Sequence, residues 1–238
     1  RGGSSHEHAR PFRSAHAGAR SAKGRPLSAG FVVHADAHWV VVDKPAGLPA
    51  VPGRAPELHD CAASRAQALY ADARVVHRLD MATSGLLVFA RGIDAQRTLS
   101  RAFAERRVRK RYVAWVDGLL ADDAGSIDLP LIVDWPNRPR QIVDAVRGKP
   151  SLTHWRVLAR GATRTLVELQ PVTGRSHQLR VHLAAIGHAI LGDDLYAAPA
   201  AAAAAPRLLL HAQALELAHP ASGVPARFSS PVPFETAP

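Results

Sequence analysis

One short stretch of the chain concentrates side chains that can do chemistry: Val76-His77-Arg78-Leu79-Asp80-Met81-Ala82-Thr83-Ser84-Gly85. It is polar and turn-rich, and it leads directly into Leu86 to Ala90, a continuous apolar run suited to a buried strand. Loops held at the edge of a sheet commonly carry catalysis. Arg78 and the hydroxyls of Thr83 and Ser84 could hold the Asp80 carboxylate ionised and oriented. The same residues could instead form an Asx-type turn in which Asp80 caps its own loop, and local chemistry alone favours that simpler arrangement.

Two other segments carry reactive groups. Tyr112 lies in Val108 to Val116, which has strand chemistry; an aromatic there is either core or a ring that stacks on a base and offers its hydroxyl to proton transfer. Ser176 to Ile186 reads as a helix, with Gly174 and Ser176 marking its start and Gly187 its end. Arg180 falls about one turn from His177 on it, between the apolar Leu179, Val181 and Leu183, so the helix is expected to be partly buried. His177, His182 and His188 with Asp193 and Asp194 could in principle bind a metal for hydrolysis. Positions 177 and 182 share a helical face poorly and no His-Glu-x-x-His pattern occurs, so no metal is expected.

These segments need a scaffold. Phe31 to Val33 and Trp39 to Val42 read as short strands, the second ending in the turn-forming Asp43-Lys44-Pro45-Ala46-Gly47. Cys61 to Ala71 and Asp94 to Arg106 read as helices. Leu152 to Leu158 and Thr165 to Leu169 flank Arg160-Gly161-Ala162-Thr163 as a hairpin, and Leu208 to Leu217 with Ala226 to Phe228 forms a last one. The run Ala200 to Ala205, bracketed by Pro199 and Pro206, is read as a loop insertion or one helical turn. Strands outnumber helices without regular alternation. That order predicts an α+β fold with a mixed sheet rather than a doubly wound one.

At 238 residues, nearly half apolar, the chain suits one catalytic domain over residues 29–238. Residues 1–28 are rich in Gly, Ser, His and Arg with almost no large apolar side chains, so they are expected to form a flexible basic tail. The single cysteine, Cys61, excludes an internal disulfide or a cysteine-rich zinc site and favours a reducing compartment. No apolar stretch approaches a membrane span of about 20 residues and no signal-peptide core follows the N-terminal arginines, so a cytoplasmic protein is expected. A net charge of +10 points to a polyanionic partner, nucleic acid first, although arginine-rich codon usage would raise it too.

The segment around Asp80 also resembles, residue for residue, the signature of the RluA-type family of pseudouridine synthases, His-Arg-Leu-Asp followed by Thr-Ser-Gly. The resemblance continues through Lys110-Arg111-Tyr112-Val113-Ala114, through Asp128-Leu129-Pro130-Leu131 and Asp134-Trp135-Pro136-Asn137-Arg138-Pro139, and through Thr173-Gly174-Arg175-Ser176-His177-Gln178-Leu179-Arg180-Val181-His182. It covers roughly residues 29–234. The Trp-Pro-Asn-Arg-Pro segment and Leu209-Leu210-His211-Ala212 are most similar to the short, dual-specificity branch. No S4-type RNA-binding region is expected ahead of the catalytic segments, as in that branch, and the alanine run is a departure from the pattern.

The resemblance implies a largely antiparallel sheet with flanking helices and a central cleft. It implies isomerisation of uridine in stem-loops of transfer RNA and 23S ribosomal RNA, with the base flipped out of the RNA. Asp80 would be the nucleophilic carboxylate, Arg180 the cation paired with it, and Tyr112 an active-site aromatic. Arg78, Thr83, Arg138, Arg140, Arg175 and His177 would bind substrate, the arginines as phosphate contacts. The reaction exchanges one bond to the ribose for another and calls for neither metal nor redox cofactor. No obligate protein partner is evident and a monomer is expected. A noncatalytic RNA-binding protein on the same scaffold is the rival that composition and charge support equally well.

Overall fold

The computed structural model describes residues 30–237, so the basic stretch 1–28 lies outside the described residues. The first half of the chain holds β1 (Val32–Ala35), β2 (Trp39–Lys44), α1 (Ala62–Leu69), β3 (Ala73–Val75), β4 (Ser84–Arg91), α2 (Gly92–Ala104) and β5 (Arg109–Asp117). The second holds β6 (Ala124–Asp128), β7 (Leu131–Val133), β8 (Gln141–Val143), β9 (Leu152–Arg160), β10 (Arg164–Pro171), α3 (Gln178–Ala185), α4 (Pro199–Ala203), β11 (Leu210–Ala218) and β12 (Pro225–Ser229).

Ten strands form one sheet in the order β1-β2-β4-β11-β5-β10-β9-β6, with β3 beside β4 and β12 beside β11. Every pairing is antiparallel except β4 with β11. The hairpin β7–β8 stands apart as a two-stranded sheet. This is the mixed sheet expected from the element order, with the largely antiparallel pairing that the resemblance implies.

Period-two alternation explains why the central strands are apolar throughout. On β2 and β4, Val40, Val42, Leu87 and Phe89 face one core, where Cys61, Ala62 and Ala66 of the α1 region cover them. Trp39, Val41, Leu86, Val88 and Ala90 face the opposite core, covered by Ala95, Leu99 and Ala102 of α2. Both faces are buried, so neither can be polar.

One row of the sheet positions the site. Lys44 pairs with Gly85, Gly85 with Ala212, Ala212 with Tyr112, and Tyr112 with Leu169. Residues in one row project to one side, so two long polar side chains, Lys44 and Tyr112, flank the small Gly85 and Ala212. Gly85 has φ +114, and a Cβ there would collide with the Ala212 backbone. The loop that precedes β4 uses the space: Leu79 packs into the same core as Ala212 and Tyr112, and Lys44 Nζ donates to Met81 O at 3.1 Å.

The α3 start differs from expectation. The helix begins at Gln178, its N-cap His177 is left-handed at φ 53, and Ser176 does not cap it. The Gln178 side chain instead ties the preceding turn to the helix: its Oε1 accepts from Arg175 N–H (3.0 Å) and Thr173 Oγ1 (2.7 Å). The end is as expected, with Gly187 at φ 85. The alanine run forms the short helix α4, and Ala201 is buried against Trp115 and Leu209.

Candidate active site

A cleft of about 1280 Å³ crosses the face of this row, and its walls include Arg78, Asp80, Thr83, Lys110, Tyr112, Arg138, Arg175, His177 and Arg180. These residues come from separate elements, among them the loop before β4, strand β5, the β7–β8 hairpin and α3. Asp80, Tyr112 and Arg180, far apart in sequence, therefore face one space. Arg140 is the exception among the expected residues; its guanidinium lies over the Tyr196 ring at 5.4 Å, beside the cleft rather than in its wall.

Asp80 is half-buried and its loop is closed through the backbone, Thr83 N–H donating to Asp80 C=O at 3.1 Å. Among the described residues no group donates to its carboxylate, so Arg78, Thr83 and Ser84 do not clamp it. Ser84 is occupied elsewhere. Its Oγ accepts from Arg207 Nη2 at 2.6 Å and bonds His211 Nδ1 at 2.9 Å. Thr83 is buried, whereas Arg78 is exposed at the mouth.

Arg180 corrects a second expectation. Its guanidinium is not ion-paired with Asp80; Nε and Nη2 bind Asp193 at 2.7 and 2.5 Å, and Nη2 reaches Asp194 at 3.1 Å. The physical reason is burial. Asp193 is fully enclosed and needs a full counter-charge, and its Oδ1 also accepts from Leu195 and Tyr196 N–H. Burial works against the Arg180 charge, but Asp193 together with the fields of Asp80 and Asp194 raises its pKa. Asp80 thus feels this cation across the cleft without touching it.

Burial pushes the Tyr112 hydroxyl well above its usual pKa and the charge of Asp80 adds to this, so it stays protonated at neutral pH. Its ring joins the two cores on either side of the cleft. His177 shares a 2.7 Å hydrogen bond with Tyr196 Oη, which also accepts from Gln141 N–H at 2.8 Å. Burial lowers the His177 pKa. The β7–β8 hairpin is thereby tied to the start of α3. At its tip Arg138 lies 4.3 Å over the exposed Trp135.

The sequence profile described as RNA pseudouridylate synthase matches residues 38–185, which spans the loop of Asp80, all of β5 and all of α3. The chain belongs to this family. The dual-specificity RNA pseudouridine synthase RluA of Yersinia pestis is 53% identical over 206 residues, covering 85% of this chain and 99% of that protein. The proteins of the same name from Pasteurella multocida and Escherichia coli K12 are 51% and 52% identical over 204 residues, each covering 85% of this chain and 93% of theirs. Among solved structures, human RNA pseudouridylate synthase domain containing 1 superposes with a TM-score of 0.74 at 28% identity, over 89% of this chain and 86% of that one.

Several residues in the cleft wall or buried behind it in this family member were given no active-site role by sequence reasoning. Asp193 was weighed as a possible metal ligand and not as the partner of Arg180. The histidines of that reading have separate partners: His182 bonds Thr153 Oγ1 and Leu129 O, each at 3.0 Å, and His188 bonds Asp117 O at 2.8 Å. Lys44 is fully buried, its ammonium donating to Pro45 O, Leu48 O and Met81 O at 3.0, 2.8 and 3.1 Å. His77 stacks on Phe103 at 4.3 Å and accepts from Val88 N–H. Burial, with Lys110 adding, pushes its pKa down to about 3, so it is a neutral prop under the loop. The signal for Lys110 was present: it precedes Tyr112 by two on a strand and must share its face.

Proposed function

We propose that this protein is a dual-specificity RNA pseudouridine synthase acting on uridines in stem-loops of transfer RNA and 23S ribosomal RNA, with Asp80 as the nucleophilic carboxylate. The observation that carries the reading is the convergence of Asp80, Tyr112 and Arg180 on one cleft in a chain of this family. The N1–C1′ bond breaks, the base turns while bound, and C1′ bonds to C5; the C5 proton leaves to solvent and N1 gains one. The Asp80 carboxylate, free of local donors, supports the charge that develops during cleavage. The Tyr112 ring supplies a stacking face for the flipped base and its protonated hydroxyl a donor. Arg180, locked by Asp193, supplies fixed positive charge opposite Asp80.

The stem-loop substrates follow from the short, dual-specificity pattern of the sequence and from identity near one half to relatives of that name. Bases already unpaired in a loop cost least to extrude. Thr83, Arg78, Arg138, Arg175 and His177 serve substrate binding from the cleft walls, and Arg140 from beside them. The single-cysteine composition fits a reducing compartment such as the cytoplasm, and the protein is read as a monomer acting without an obligate partner. Within the described residues no helix is long and apolar enough to cross a membrane.

The test is release of tritium from C5-labelled uridine in stem-loop RNA. Wild-type protein is expected to release it, and Asp80→Ala to release none while binding RNA within a few-fold of wild type. Retained release by Asp80→Ala would refute the assignment, and no release by wild type would favour the noncatalytic RNA-binding alternative. Carbodiimide-dependent mapping of pseudouridine in cells with and without the protein identifies the uridines.

A further inference from the structure

Among the described residues two lysines have ammonium groups largely withdrawn from water, and they are used differently. Lys44 donates to three carbonyls, which accounts for all three of its protons. Lys110 donates to one, Thr173 O, at a long 3.3 Å. Among the described residues no carboxylate comes within ion-pair distance of Lys110. Its neighbours on β5 show that this is not general: Arg111, on the other face, pairs with the buried Glu168. Lys110 instead shares the face of Tyr112, and both line the cleft. A desolvated cation with one acceptor and no counter-ion among the described residues gains when an anion binds beside it.

The cleft extends past Tyr112 toward the end of α2, where Ser100, Phe103, Ala104, Arg106 and Val108 line it. Arg106 holds the position after the C-cap, left-handed at φ 59. The flanking bonds are those of a Schellman motif: Arg106 N–H to Phe103 O at 3.2 Å and Arg107 N–H to Ala102 O at 2.9 Å. Glycine fits this site without strain, and arginine does not. A cation stands where helix geometry asks for glycine, and it stands in the cleft wall.

We infer that this arm of the cleft, with Lys110 at its floor and Arg106 at its rim, seats a phosphodiester of the RNA strand flanking the flipped uridine. The inference rests on the reading of the protein as an enzyme that acts on RNA and adds a contact distinct from the four arginines named from sequence. Burial pulls the Lys110 pKa to about 8, which leaves it charged at neutral pH and able to gain from an arriving phosphate.

The test measures affinity for a labelled stem-loop RNA by anisotropy across a salt series, in the Asp80→Ala protein so that turnover does not intervene. Lys110→Met is expected to weaken binding several-fold and to lower the slope of log K against log salt by about one. Lys110→Arg should restore both, and Arg109→Met, one residue away on the opposite face, should move neither. Arg106→Gly should weaken binding several-fold while leaving the melting temperature equal or higher, a split that a structural role cannot produce. An unchanged slope in Lys110→Met, or a loss no larger than that of Arg109→Met, overturns the inference. So does Arg106→Gly binding as tightly as its parent. Failure of wild type to release tritium overturns the catalytic reading and leaves these binding measurements to decide the phosphate seat independently.

Discussion

Arg180 and Asp193 are both enclosed by protein and joined by two hydrogen bonds, so neither charge has water to fall back on. Removing one of them strands the other: Asp193→Asn is expected to cost about 3–5 kcal/mol in urea unfolding. Arg180→Gln combined with Asp193→Asn leaves a neutral pair that still accepts from the Leu195 and Tyr196 amides, and should recover most of that loss without recovering tritium release. A double variant as unstable as the single one would show that shape rather than charge dominates. Tyr112→Phe asks a narrower question. With the hydroxyl held protonated by burial and by Asp80, its removal should slow turnover by about 10²–10⁴-fold at nearly unchanged RNA affinity; turnover within a few-fold of wild type would reduce Tyr112 to its ring. At this scale the sequence was readable where a group and its role lie in one short motif, as for Asp80. It was not where a role depends on a distant partner. Nothing near Arg180 tells that the turn holding Asp193 folds back onto α3 and takes the guanidinium that Asp80 was expected to hold.

Strands β4 and β11 meet in the only parallel pairing among the described strands, at Ser84 with His211 and Gly85 with Ala212. Beneath this junction a polar chain has one consistent direction. Ser230 Oγ donates to Asp43 Oδ2 at 2.5 Å, so it accepts from His211 Nε2 at 3.1 Å, which leaves Nδ1 to accept from Ser84 Oγ at 2.9 Å. Ser84 Oγ in turn accepts from Arg207 at 2.6 Å. A cation and an anion thus bracket three neutral groups that tie β2, β4, β11 and the residues after β12 together directly behind the Asp80 loop. Ser230→Ala would leave His211 Nε2–H and the Asp43 carboxylate without their partner, and is expected to cost about 1–3 kcal/mol by equilibrium unfolding. A change below about 0.5 kcal/mol would mean that the chain is not a coupled unit. Elements with strong periodicity, such as β2, β4 and the β9–β10 hairpin, were legible because burial on one or both faces dictates their residue pattern. The short β3, β6, β7 and β8 carry no such pattern, since edge pairing and the separate hairpin ask little of their side chains. The parallel junction pairs positions more than a hundred residues apart, which no local signal encodes.

For the whole molecule, the buried titratable groups combine into a stability profile that a sequence with a net charge of +10 does not foretell. Burial lowers the pKa of His77 to about 3 and lowers those of His182 and His211 from 6.5. Below pH 6.5 the unfolded chain binds protons that the folded chain refuses, so stability present at neutral pH is lost as the pH falls from 6.5 toward 3. Lys44 and Lys110 are lowered to about 8 from 10.5, and the same sign applies: between pH 8 and 10.5 the unfolded chain holds more protons, and stability rises with pH. Tyr112 reverses it. Its folded pKa lies above the unfolded value of 10, so past that pH the unfolded chain gives up a proton that the folded one keeps, and stability falls. The expected maximum therefore lies near pH 10, where the rise from the two lysines gives way to the fall from Tyr112, well on the alkaline side of the usual range of about 5–8. Urea unfolding at closely spaced pH values should show a decline of roughly 2 kcal/mol or more between pH 6.5 and 4.5, and a rise between pH 8 and 9.5 that Lys110→Met reduces. A profile flat from pH 7 to 9.5 would show that the two ammonium groups keep ordinary pKa values in the fold. Lys110 would then be hydrated, and the case for its need of a phosphate partner would weaken with it.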